Sequence, residues 1–431
     1  MNPPSTTLFS RKSILTIAVV CCCFSIPAQE VNYDESKIPP YSLPDPLVAM
    51  DGKIIRSQKE WKEKRRPEIF ALFESQMFGK APGKPHDLHF KLLSEDKNAL
   101  EGKATRKEVA VFFTKGDTHS MTILIYLPNL TKTPVPLFVG LNFDGNYTID
   151  DDPNITITSG WVPNNEMITN NQANPALRGA ASSQWPVAQL IERGYGLATI
   201  YSGDIDPDYD DGFQNGVHPL FYEKGQTQPL AGQWGTLAAW AWGLSRAMDY
   251  FEQDKAIDKK RVAVIGHSRM GKTALWAGAC DPRFALVVSN NSGCGGAALS
   301  RRRIGETVER INGYFPHWFC QHFIQYNNNE DALPIDQHEL IALIAPRPVY
   351  IASAEEDRWA DPKGEFLSGV WSNPVYALFG LTGVPVEELP EVNQPVHTGF
   401  IGYHIRTGQH DLTSYDWEQY LDFADMHFNK R

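Results

Sequence analysis

The chain is predicted to fold as an α/β protein, with a mostly parallel central sheet in a three-layer α/β/α sandwich interrupted by loop insertions. Two observations carry that expectation. Short runs rich in β-branched and apolar residues, each closed by Gly, Pro, Asn or Asp, alternate along the chain with segments of helical periodicity. The stretch "RVAVIGHSRMGKTALWAGACDP", residues 261–282, then compresses an apolar strand, a sharp glycine-bearing turn and a helix-forming run into one unit. Strands that alternate with helices bury a parallel sheet between two helical layers.

The elements follow in order. Arg11 and Lys12, an apolar stretch 14–26, Ala28 and a polar run from Gln29 have the three regions of a secretory signal peptide, assigned to residues 1–28. The stretch is too short for a membrane span. A secreted or periplasmic chain without a stable membrane partner is expected. An uncleaved anchor is the alternative, since Ile26 fits an A-x-A-like cleavage site poorly. Cys21, Cys22 and Cys23 lie inside this segment. Residues 29–431 read as a single domain that opens with a polar N-terminal wrap, 29–100, carrying a helical patch around 61–77.

Strands are expected at 109–113, 121–127, 135–141 and 196–201, then a helix at 236–251 whose Leu237, Trp240, Ala241, Leu244 and Met248 share one face. The strand 262–265 with its helix, the strand 286–289, a long polar insertion to 335 and the strand 349–353 come next. An alternating run 400–406 precedes a last helix from Ser414, where Trp417, Tyr420, Leu421, Ala424 and Phe428 form a stripe.

Composition narrows the function. With 40 Lys and Arg against 51 Asp and Glu, the formal charge is −11, so the basic footprint of a nucleic-acid binder is missing. Beyond the leader, Cys280, Cys294 and Cys320 permit one disulfide and one free thiol, with buried inert thiols the simpler reading, and their spacing suggests no zinc site. The acidic loop "GDIDPDYDDGF", with Asp204, Asp206, Asp208, Asp210 and Asp211, fails the register of a calcium-binding EF-hand and reads as a solvated, partly capping loop. No metal and no cofactor are expected.

Ser268 stands on the sharp turn of the strand–turn–helix unit, where a nucleophile elbow would hold it, although the second glycine, Gly271, comes one place later than in G-x-S-x-G. A serine hydroxyl needs a base, and the base needs an orienting group. In an α/β-hydrolase fold these follow in the order serine, acid, histidine, on loops at the carboxyl ends of later strands. Only His397, His404, His410 and His427 come after the strand 349–353. His397 precedes its strand, His404 lies within it and His427 lies within the last helix; His410, in "RTGQHDLTSYDW", occupies the loop between strand and helix. The candidate acid is Asp357, in "VYIASAEEDRWADP", with Glu356 the alternative that sequence does not rank firmly and Glu355 a solvated charge. The backbone N–H of Arg269, at the start of the helix, is one oxyanion donor, and Asn142 or Phe143 in "GLNFDGN" would supply a second.

These residues resemble the glucuronoyl esterases, carbohydrate esterase family 15, in the bacterial branch. "GHSRMGK" is similar to that family's nucleophile motif, and "SGCGGAALSRR", "GETVERINGYFPHWF", "LIALIAPRPVYIAS" and "EEDRWADPKGEF" extend the likeness from about residue 109 to the C-terminus. The resemblance implies a serine esterase that cleaves esters between 4-O-methyl-glucuronate of xylan and lignin alcohols. Glucuronoxylan and lignin–carbohydrate esters would be its substrates. It also implies that the Arg269 side chain adds charge stabilisation, and that Lys272, Glu306 and Trp359 hold the sugar hydroxyls or ring. Arg301, Arg302 and Arg303 read as solvated or ion-paired. Two departures stand out: fungal members place a glutamate where this chain has Asn291, and they join the nucleophile and histidine loops by a disulfide where this chain has His267 and Gln409. The acid would therefore come from the Asp357 loop, and rigidity from packing or hydrogen bonds. An acetyl xylan esterase with the same triad is the alternative enzyme. A non-catalytic carbohydrate-binding relative would predict a broken triad.

Overall fold

The computed structural model describes residue 1 and residues 30–116, 119–130 and 134–428. The leader assigned to residues 1–28, with its three cysteines, lies outside the described residues, Met1 apart. All elements below belong to the unit Asn32–Arg431.

Nine strands form one sheet: β1 (His89–Ala99), β2 (Ala104–Phe112), β3 (Ser120–Pro128), β4 (Val135–Asn142), β5 (Gly196–Tyr201), β6 (Ile257–His267), β7 (Leu286–Asn290), β8 (Val349–Ala354) and β9 (Ile401–Arg406). Their spatial order is β1-β2-β3-β5-β4-β6-β7-β8-β9. The pairings from β1 to β5 are antiparallel, and every pairing from β5 to β9 is parallel. From β4 the chain moves to β5 on one flank and then to β6 on the other. Connections that leave in opposite directions open a crevice at the carboxyl ends of the strands, where ligands of such sheets bind.

The described helices are α1 (Gln58–Glu60), α2 (Arg66–Phe73), α3 (Val187–Glu192), α4 (Thr236–Phe251), α5 (Arg269–Cys280), α6 (Val308–Tyr314), α7 (Gln337–Ala342), α8 (Pro362–Leu378) and α9 (Ser414–Phe428). Side chains alternate across a strand, and each central strand therefore feeds two cores. Val262 and Val264 of β6 pack with Leu237, Trp240 and Leu244 of α4 and Leu275 of α5. Ala263 and Ile265 pack on the opposite face with Leu190 of α3 and Trp417, Tyr420 and Leu421 of α9. Three layers follow from that alternation. None of the described helices is long and apolar enough to cross a membrane.

The structure departs from expectation in three places. Strand β1 lies inside the segment read as a wrap; its sequence shows no clean alternation because it is an edge strand, largely solvent-exposed and bulged between Leu92 and Ser94 and between Asp96 and Ala99. The insertion after β7 is polar in composition yet largely buried. Its basic run is ion-paired rather than solvated: Arg301 binds Asp336 at 3.1 Å, Arg302 binds Asp361 at 2.7 Å, and Arg303 reaches Glu330 and Asp331 at 2.8 Å each. The acidic loop is solvated only in part, at exposed Asp210. Asp206 is buried and accepts from Thr236 Oγ1 at 2.6 Å at the start of α4, with His218 at 3.1 Å. Asp204 accepts from the Thr122 N–H at 3.1 Å, and burial pushes its carboxyl up to about 7. Among the described residues no cluster of His, Cys, Asp and Glu could hold a metal ion. Cys280, Cys294 and Cys320 are all free thiols.

Candidate active site

The site is built on the loops that follow the neighbouring parallel strands β6, β7, β8 and β9. Strand β6 ends at His267 and α5 begins at Arg269, so Ser268 alone makes the turn, at φ 58° and ψ −129°. A non-glycine residue with positive φ is uncommon and marks a constrained turn. Two glycines give that turn room. A Cβ at Gly266 would fall 1.8 Å from the Met270 carbonyl oxygen, and one at Gly271 would fall 2.9 Å from the Ser292 Cβ. The later glycine is thus spaced to pack α5 against the turn after β7. Ser268 is tied to the same turn, its N–H donating to the Asn290 carbonyl at 2.9 Å.

The loop after β8 carries Asp357 and the loop after β9 carries His410. The N–H groups of Glu355 and Glu356 donate to the carbonyls of Arg406 and Gly408 at 2.9 and 3.1 Å, which zips the two loops together. His410 Nδ1 then lies 2.6 Å from Asp357 Oδ2, while Glu355 and Glu356 point to solvent. Asn291, after β7, donates from Nδ2 to the same carboxylate oxygen at 3.1 Å. Burial alone would raise the Asp357 carboxyl; the hydrogen bond and charge of His410 and the Asn291 amide hold it below the ordinary carboxylate range. The amide at position 291 carries no charge, but it holds the Asp357 carboxylate in place.

Where a disulfide would join the loops, packing and hydrogen bonds stand instead. The His267 ring meets the His410 ring at 4.5 Å between centroids, and its Nδ1 donates to Asn290 Oδ1 at 2.6 Å. Burial first, and the His410 charge second, push the His267 imidazole down to about 4, so it stays neutral beside His410. Arg406, buried at the end of β9, donates to the carbonyls of Gln409 and Asp411 at 3.1 and 2.7 Å and so grips the chain on both sides of His410. Of the other histidines considered, His404 is buried against Asp416 at 2.8 Å inside the core.

The remaining candidates cluster on the Ser268 side. The Arg269 guanidinium lies over the Phe143 ring at 4.5 Å and near the Trp318 ring at 5.8 Å, with its Nε 2.5 Å from Asp208 Oδ2. Lys272 is buried, and its ammonium donates to the carbonyls of Ser292 and Cys294 at 2.7 Å each and to Glu306 at 3.2 Å. Those acceptors match the donors an ammonium has, so a sugar hydroxyl reaching Lys272 would displace one of them. Glu306 N–H donates to the Trp359 carbonyl at 3.0 Å, which joins the loop of Glu306 to that of Trp359 and Asp357. Asn142 spends its side chain on Asn146 and the Gly145 N–H, at 2.8 and 2.9 Å.

A model of fungal glucuronyl esterases matches residues 216–380. The carbohydrate esterase MZ0003, from an unknown prokaryotic organism, is 53% identical over 427 residues, covering 97% of this chain and 98% of the relative. The chain belongs to the glucuronoyl esterases of carbohydrate esterase family 15. It is a carboxylic ester hydrolase. Solved relatives agree: a promiscuous family 15 esterase from a marine bacterial metagenome superposes with a TM-score of 0.87 at 55% identity, covering 92% of this chain and 100% of that one. A glucuronoyl esterase from Solibacter usitatus superposes with a TM-score of 0.87 at 46% identity, covering 91% and 100%. In this glucuronoyl esterase, sequence reasoning missed Asp208, His317, Trp318 and Arg406. Asp208 was hidden in a loop that reads as a cation motif, and His317 and Trp318 meet it from 109 and 110 residues away; Arg406 reads as a strand residue, although the carbonyls it binds, of Gln409 and Asp411, lie close by in sequence.

Proposed function

We propose that this glucuronoyl esterase is an exported enzyme that cleaves the ester between (4-O-methyl-)glucuronate of xylan and a lignin alcohol, using Ser268 as nucleophile. His410 would take the Ser268 proton as the hydroxyl oxygen attacks the glucuronoyl carbonyl, and Asp357 would hold the imidazole tautomer and stabilise the imidazolium. The tetrahedral oxyanion would meet the Arg269 backbone N–H at the positive end of α5 and the Arg269 guanidinium. Collapse expels the alcohol, protonated by His410, and leaves an acyl-enzyme. Water, deprotonated by the same histidine, then releases the glucuronic acid. Glu306, Lys272 and Trp359 would line the sugar, a few polar groups beside an apolar wall.

The observation that supports this reading is the 2.6 Å pair of His410 and Asp357, on loops neighbouring the strained turn of Ser268. Fungal relatives named 4-O-methyl-glucuronoyl methylesterase, one from Wolfiporia cocos at 29% identity over 80% of this chain, support the substrate class. The test compares turnover of a benzyl glucuronate ester and an aryl acetate, with Ser268→Ala as control. A higher kcat/KM on the glucuronate ester, abolished in Ser268→Ala while its circular dichroism and melting are unchanged, is expected. Preference for the acetate would overturn the substrate assignment.

A further inference from the structure

Asp208 is a carboxylate that the proposed triad does not use, yet the start of α5 and the insertion after β7 both converge on it. It follows β5, and its Oδ2 lies 2.5 Å from Arg269 Nε. Its Oδ1 accepts from Trp318 Nε1 at 2.7 Å and from His317 Nε2 at 3.0 Å, both on the insertion after β7. From the loop after β4, Phe143 offers its ring to the same guanidinium at 4.5 Å. The Asp208 side chain is 15% exposed and that of Arg269 is 27% exposed. A carboxylate fixed by two donors, together with the Phe143 and Trp318 rings against the guanidinium, therefore restrains a long side chain that would otherwise keep about 2 kcal/mol of rotamer freedom.

We propose that Asp208 is the positioning residue for Arg269, aiming its guanidinium at the place beside Ser268 where the oxyanion forms. The inference rests on the reading of Arg269 as an oxyanion stabiliser. Two effects of Asp208 oppose each other. Its negative charge weakens the field that Arg269 presents to an oxyanion, whereas its grip keeps the guanidinium from turning out to solvent. Orientation outweighs charge here, because a stabilising group contributes most when no reorganisation is needed during reaction, and a displacement of about 1 Å costs on the order of 100-fold.

A double-mutant cycle decides between these effects. Asp208→Asn, which keeps the shape and removes the charge, is expected to lower kcat on a benzyl glucuronate ester about 10- to 100-fold with little change in KM. In an Arg269→Ala background the same substitution is expected to change kcat less than about twofold, since the group it positions is gone. Asp208→Glu is expected to recover part of the rate. A rise or no change in kcat for Asp208→Asn would overturn the proposal, and so would losses that multiply in the double variant, the mark of a merely structural role. Arg269→Ala at the wild-type rate would sink the reading of Arg269 and this proposal with it. If the wild type turns over an aryl acetate but no glucuronate ester, the substrate reading fails alone, and the same cycle run on the acetate still judges Asp208.

Discussion

Ser268, His410 and Asp357 illustrate what one residue's surroundings add to its chemistry. Asp357 is the sharper case, because three consecutive carboxylates are candidates in sequence and only Asp357 turns inward to His410 and Asn291. Asp357→Asn should lower kcat about 10³- to 10⁴-fold, the scale of losing the tautomer-fixing carboxylate, while Glu356→Gln, exposed in the structure, should stay within about twofold. Steady-state kinetics on one ester reads both. His267 makes a second prediction, in stability. Its imidazole lies near 4 in the fold against an ordinary 6.5, so the unfolded chain binds the extra proton between those values. Stability is then full above about pH 6.5 and falls as pH drops towards 4, by about 3 kcal/mol across the window. Urea unfolding should find the wild type losing about 2 kcal/mol more than His267→Gln between pH 7 and pH 5. Equal losses would mean that His267 does not carry the effect.

Elements place these residues, and here the sequence is most legible. The strands at 196–201 and 400–406 and the helices at 236–251 and from Ser414 are found within a residue of their expected bounds, because period-2 and period-3.6 patterns are local signals. Strand β1 was not legible, since an edge strand with bulges buries too little to impose alternation. The displaced glycine of the elbow also finds its reason at this scale: α5 approaches the turn after β7 at Gly271. Gly271→Ala, with its Cβ 2.9 Å from Ser292, should cost about 1–3 kcal/mol by overpacking and lower the melting temperature. An unchanged melt would show that the Ser292 turn yields freely.

Across the whole molecule, ion pairs between distant segments hold the loops that the sheet cannot. Arg302, buried, binds both oxygens of Asp361 at 2.7 and 3.1 Å and reaches Glu35 in the N-terminal segment. Asp361 in turn caps α8 through the Gly364 N–H at 3.0 Å, immediately after the loop of Asp357 and Trp359. Arg302→Leu would strand a buried carboxylate and should cost about 3–5 kcal/mol in urea unfolding; a loss below about 1 kcal/mol would show the pair to be dispensable. No local pattern announces such a pair, and a basic run reads the same whether solvated or buried.

From its sequence alone, the chain determined the layered α/β class, the strand–turn–helix unit around Ser268 and the place of His410 on the loop between the last strand and the last helix, because hydrophobic period, turn glycines and chain order are written in neighbouring residues. Only the tertiary structure decided that Asp357 rather than Glu356 faces the imidazole, that Lys272 spends its protons on backbone and Glu306, and that Asp208 grips Arg269. Those outcomes depend on distances between atoms separated by tens of residues, and such distances exist only once the sheet has brought its loops to one rim.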